Sequence, residues 1–120
     1  MKREPDLIRT LLLYFEAKPN DQVDSCPIIP DYTAQQVAYH LLLMHEAGFL
    51  RAEPELTKTG RVIKIHPFSL TWHGHEFLDA ARDESLWRKA TSIAAAKTGA
   101  LSFSVLQALL ISMAKQQLGI

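Results

Sequence analysis

At 120 residues, 48% hydrophobic and 22% charged, the chain suits one domain around one core, and its composition excludes a disordered or low-complexity protein. Thirteen Lys plus Arg balance thirteen Asp plus Glu, which excludes the globally basic footprint of a strongly DNA-binding domain and leaves only local patches to consider. The single Cys26 cannot close an internal disulfide, the 11–15 apolar run is too short for a signal peptide, and no stretch nears the roughly 20 apolar residues of a membrane span; a cytoplasmic protein with no membrane partner is expected.

Pro5 suits a first helical turn, and Leu7, Ile8, Leu11, Leu12 and Phe15 recur at helical spacing up to Ala17. Residues 18–32 contain Pro19, Asn20, Pro27 and Pro30, so no regular helix is expected there, although 23–29 offers a short edge strand. Thr33 with Gln36 forms a capping box opening a helix over 34–47, with Val37, Leu41, Met44 and Ala47 as its apolar stripe and Gly48 as its stop.

After Phe49 the period changes. Leu50 to Leu56 and a β-branched return from Val62 read as a hairpin turning at Thr57-Lys58-Thr59-Gly60. Ile63 and Ile65 lie on one phase, Phe68, Leu70 and Trp72 on the other, so a bulge near His66-Pro67 is expected. Thr71 caps a helix carrying Phe77, Leu78 and Ala81. Asp83 caps the next, through Leu86, Trp87, Ala90 and Ile93 to Lys97, with Thr98-Gly99 ending it. A last helix runs over about 104–118, stopped by Gly119.

The order of helix, capped helix, hairpin and helix predicts an α+β, mainly α fold. It is read as a winged helix-turn-helix with a two- to three-stranded wing over residues 1–82, and a C-terminal helical extension over 83–120 packed on it as one unit. The 37–50 stretch, with Glu46-Ala47-Gly48 before two apolar residues, looks like a recognition helix entering a wing. Together with Met1-Lys2-Arg3, Asp6-Leu7-Ile8-Arg9, Leu70-Thr71-Trp72, Gly74-His75, Phe77-Leu78-Asp79, Arg82-Asp83, Trp87 and Leu118-Gly119, it makes the chain resemble the domain-of-unknown-function family numbered 2513. That resemblance implies a winged-helix fold and a bacterial, phage or prophage setting.

Two binding surfaces follow. In a DNA-binding regulator, Gln35, Gln36 and Tyr39 would read a groove while Arg51, Lys58, Arg61 and Lys64 held phosphate. The wing carries four basic residues against Glu53 and Glu55, but the outward helix face has no Lys or Arg, and the helix that should precede it is missing. In the alternative, a protein-interaction module, Tyr39 and Leu42 beside Ile28 and Ile29 dock on a host or phage protein. The last helix is apolar around much of its circumference, so Leu106, Leu109, Leu110 and Met113 are candidates for a homodimer contact, with the small run Ala94-Ala95-Ala96 permitting close approach.

Chemistry is weakly signalled. His73 and His75 flank Gly74, with His40, His45 and His66 elsewhere in the chain, but two residues apart on a helix they diverge and no cysteine set joins them. A capping or buried hydrogen-bonded histidine explains such residues better than a metal. Cys26 has no evident base, and no phosphate loop is present. No catalytic residue, cofactor or metal is expected.

Overall fold

In a computed structural model of the protein, described over residues 1–98 and 102–120, the order is α1 (Pro5–Glu16), α2 (Ala34–Glu46), β1 (Leu50–Leu56), β2 (Val62–Leu70), α3 (Trp72–Ala81), α4 (Glu84–Thr98) and α5 (Phe103–Leu118). This is an α+β, mainly helical protein with five helices and one two-stranded antiparallel sheet. The chain forms two compact units, Met1–His75 and Glu76–Ile120. The expected helix end at Gly99 lies outside the described residues.

In the first unit, α1 buries Leu7, Ile8, Leu11, Leu12 and Phe15, and α2 buries Val37, His40, Leu41 and Met44. The Thr33 capping box forms in both directions: the Gln36 N–H donates to Thr33 Oγ1 at 3.1 Å, and the Thr33 N–H donates to Gln36 Oε1 at 2.8 Å. Ala47 is the C-cap and is exposed, because the stripe ends one turn earlier. Gly48 takes φ 79°, the left-handed turn that releases the chain toward β1.

His40 is the one buried polar residue among those described, at 1% exposure. Its Nε2 faces the Glu4 backbone N–H at 2.8 Å and its Nδ1 faces the Gln36 carbonyl at 2.7 Å. An N–H can only donate and a carbonyl can only accept, so the partners select the neutral ring with its hydrogen on Nδ1. It is the buried, capping histidine anticipated above: Glu4 is the N-cap of α1 with no side-chain cap bond of its own.

No third strand forms among the described residues, so the sheet is two-stranded. The 23–29 segment contributes one strand-like bond, from the Asp24 N–H to the Pro67 carbonyl at 3.0 Å, and Pro27 and Pro30 lack the N–H groups a ladder needs. The hairpin turn places Gly60 at φ 86° and closes with the Gly60 N–H on the Thr57 carbonyl at 3.0 Å. Its register slips twice, leaving Phe68 and Ile63 as extra residues in β2. The Phe68 bulge is the one expected near His66-Pro67: Ile65 and Pro67 are buried before it and Leu70 after it. Ile63, expected in phase with Ile65, is turned out by its own bulge and is 60% exposed. Trp72 does not continue the strand alternation, because it opens α3, and it is 78% exposed.

The start of α3 is docked on the turn after α2. Thr71 donates its N–H to the Phe49 carbonyl at 3.0 Å and its hydroxyl to the Gly48 carbonyl, while its Oγ1 accepts the Gly74 N–H at 3.0 Å. In the second unit, Phe77, Leu78, Ala81, Trp87, Ala90, Ala94, Leu106, Leu110 and Met113 are buried. Phe77 meets Trp87 edge-on at 6.5 Å and Phe103 at 5.5 Å between ring centroids. Asp83 caps α4 through the Leu86 N–H at 2.9 Å. Ile93, expected on the inner stripe, is exposed, because Trp87, Ala90 and Ala94 define that face.

Candidate binding surface on α2 and the hairpin

The outward face of α2 and strand β2 wall a groove of about 260 Å³, lined by Met1, Gln35, Ala38, Tyr39, Leu42 and residues 62–65. A larger cleft of about 730 Å³ adjoins it, sharing Gln35, Ala38 and residues 63–65, and closed on its other side by residues 23–26. Three residues expected at a binding face, Gln35, Tyr39 and Leu42, therefore meet Lys64 in one groove. Met1 is a wall residue that the sequence reading does not place: Met1-Lys2-Arg3 enters there only through the family resemblance, and chain position does not tell which surface an arm lies on.

Other expected site residues are engaged elsewhere. Gln36 uses its carbonyl oxygen in the capping box. Arg51 donates to the Leu70 carbonyl at 2.8 Å and reaches Ser69 Oγ at 3.4 Å, fastening the base of the hairpin. Lys58, Arg61 and Lys64 are exposed, and among the described residues none of their side chains is held in an ion pair. Lys64 does share its face with Glu55, its cross-strand partner, as His66 does with Glu53, so acid dilutes the basic face of the hairpin. Ile28 and Ile29 part company: Ile29 is buried in the core, whereas Ile28 is 96% exposed and lines neither cleft.

The proposed dimer residues are corrected by burial. Leu106, Leu110 and Met113 are buried within a single chain and cannot also face a second copy, and Leu109 is half-buried. The apolar side chains that α5 leaves outward are Val105, Ile111 and Leu118. In α4, Ala94 is buried and Ala95 and Ala96 are exposed.

The 23–26 wall is anchored by polar contacts invisible in the local sequence pattern. Tyr14 donates its hydroxyl to Asp24 Oδ2 at 2.7 Å. Lys18 Nζ donates to the Gln22 carbonyl at 2.6 Å and the Phe68 carbonyl at 2.7 Å, tying the loop to β2. The Tyr14 hydrogen bond holds the Asp24 carboxyl below its ordinary range, helped by the Ser25 N–H and the Lys18 charge against some desolvation. The same bond, then burial and the Asp24 charge, raises Tyr14 above the usual 10.0. Partial burial of the thiol pushes Cys26 up, the wrong direction for a nucleophile. Among the described residues, no three His, Cys, Asp or Glu side chains converge in a way that would hold a metal ion, and no helix is long and apolar enough to cross a membrane.

The family model described as hypothetical protein (DUF2513) matches residues 2–100. The chain belongs to this family. The matched region takes in every wall residue of both clefts except Met1, and stops short of α5. This DUF2513 member is similar to an uncharacterized protein of Haemophilus influenzae, with 28% identity over 124 residues, covering 98% of this chain and 99% of the relative. That similarity extends through α5. No solved structure matches this DUF2513 chain.

Proposed function

We propose that the chain is a non-catalytic docking module, a winged-helix-like unit that holds a segment of another protein in the groove between α2 and β2. The observation that carries this reading is the makeup of that groove. Ala38, Tyr39, Leu42, Val62 and Ile63 supply an apolar floor, with Gln35 and Lys64 as polar groups around it. Three further features favour protein over duplex DNA. Gln36 and Arg51 are bonded inside the fold, Glu55 shares the face of Lys64, and α1 leads into α2 through a loop instead of the helix that anchors a helix-turn-helix on phosphate. A free thiol at Cys26 suits a cytoplasmic setting.

The test is selection of ligands from a displayed random-peptide library against the full chain, with Leu42→Glu as the comparison. Ligands that bind the wild type at least about tenfold better than Leu42→Glu, a loss of about 1.4 kcal/mol, support the reading. Selection that yields no such ligand refutes it.

Duplex DNA is the second reading, favoured by one observation: Gln35, Tyr39 and Lys64 share a groove on the same hairpin as the exposed Lys58 and Arg61 side chains. It predicts binding that weakens steeply with salt, and a log–log salt slope reduced by about 2 when Lys58 and Arg61 are both replaced by Glu. Anisotropy titrations with random duplex measure both; an unchanged slope removes this reading.

A further inference from the structure

We infer that the outer edge of β2 accepts one short extended strand of a partner protein, laid between β2 and the 23–26 segment, with a carboxylate of that strand against Lys64. This rests on the protein-docking reading and specifies how the partner sits.

The hairpin has a proline in each strand, in the pairs Pro54↔Ile65 and Ala52↔Pro67. Proline has no N–H to give a ladder. Those pairs are therefore the ones whose backbone groups turn away from the neighbouring strand, and the ladder bonds fall on the pairs that alternate with them, Glu53↔His66 and Glu55↔Lys64. The Pro67 carbonyl confirms the direction, because it receives the Asp24 N–H from outside the hairpin at 3.0 Å. Ile65 is two residues earlier on the same strand, so its N–H and carbonyl point the same way, into the larger cleft. Asp24 thus already makes one rung of an added strand, and among the described residues nothing bonds the outward groups of Ile65 at the next.

The shape of the cleft selects the occupant. Asp24 closes the edge at Pro67, the bulge at Ile63 interrupts it at the other end, and the 23–26 segment stands opposite. With the edge taken at Pro67 and interrupted at Ile63, the Ile65 rung alone is open, which suits a single extended chain, whereas the sheet edge of a folded second copy needs a longer open run. Its side chains would alternate, apolar ones toward Ala38 and Ile63, and an acidic one toward Lys64, which is exposed and without an ion-pair partner among the described residues.

The probe is a random twelve-residue peptide library displayed on phage and panned against the full chain, followed by synthesis of the best peptide and methylation of its backbone nitrogens one at a time. Strand addition predicts an acidic residue flanked by apolar residues at alternate positions. Methylation of the one nitrogen that donates to the Ile65 carbonyl should cost at least about tenfold in affinity, and methylation of the others less than about twofold. Exchange of the Ile65 amide hydrogen should slow on binding, and Lys64→Glu should weaken the acidic peptide about threefold. A peptide that is lost in Leu42→Glu but shows no alternation and leaves Ile65 exchange unchanged overturns strand addition while keeping protein docking. A panning that enriches nothing overturns both.

Discussion

Replacing Gly74 by alanine should unfold the junction between the hairpin and α3, and the structure sets the size of the effect. A Cβ at this position would stand 2.1 Å from the Phe49 carbonyl oxygen and 3.0 Å from its carbon. Relief needs a separation about 1 Å larger, and the obstacle is backbone, so no rotamer change supplies it. Moving the Phe49 carbonyl breaks its bond from the Thr71 N–H; moving α3 pulls Thr71 Oγ1 off the Gly74 N–H as well. Overpacking costs about 1–3 kcal/mol and each stranded buried group about 1–3 kcal/mol, against at most about 1 kcal/mol gained in helix propensity. The net is a loss of about 2–4 kcal/mol, or a drop in Tm on the order of 10 °C. Gly60→Ala is the comparison, since it meets open space and suffers only from φ 86°, a cost of about 1 kcal/mol. Denaturant and thermal melts followed by circular dichroism read both. If Gly74→Ala proves no less stable than Gly60→Ala, the close docking of α3 on Phe49 is wrong.

His40→Ala should lose about 2–4 kcal/mol, from a cavity plus an unpartnered Glu4 N–H, and His40→Phe should restore packing without restoring the cap; urea midpoints rank the three, and an alanine variant as stable as wild type contradicts the role. Leu110→Ala should cost about 2–5 kcal/mol independently of protein concentration, because Leu110 is fully buried within one chain; a loss that shrinks at high concentration would point to a contact between copies instead. The Tyr14–Asp24 bond has a worked sign: Asp24 is lowered, so its contribution is present above the ordinary carboxylate pKa and disappears as pH falls through the lower folded value. Tyr14 is raised, so its contribution is present below pH 10.0 and disappears as pH climbs through the higher folded value. Absorbance titration should find Tyr14 ionising earlier in Asp24→Asn, and an unmoved phenol would refute the bond.

Local rules reached far in this chain where the determinants lie close together in sequence. Thr33 and Gln36 announce α2, Gly48 its end, Thr71 and Asp83 the starts of α3 and α4, and the phase change between Ile65 and Leu70 the bulge at Phe68. The candidate groove was half legible. Outward Gln35, Tyr39 and Leu42 follow from helical period, but periodicity says where a side chain points and nothing about what else it is bonded to. Gln36 and Arg51 therefore read as available in the sequence, although both are bonded within the fold. The second bulge, at Ile63, left no mark either, because a single β-branched residue keeps the same local pattern inside a bulge or out of one.

By itself the sequence determined the helices, the hairpin, the neutral charge and the family, since capping, periodicity and composition are properties of neighbours along the chain. Only tertiary structure decided that His40 caps α1, that Leu106, Leu110 and Met113 are spent inside one chain, and that Met1 and residues 23–26 wall the clefts beside α2. These are contacts between residues distant in sequence. Each depends on which apolar faces meet, and many arrangements satisfy the same local preferences until packing and hydrogen-bond satisfaction choose among them.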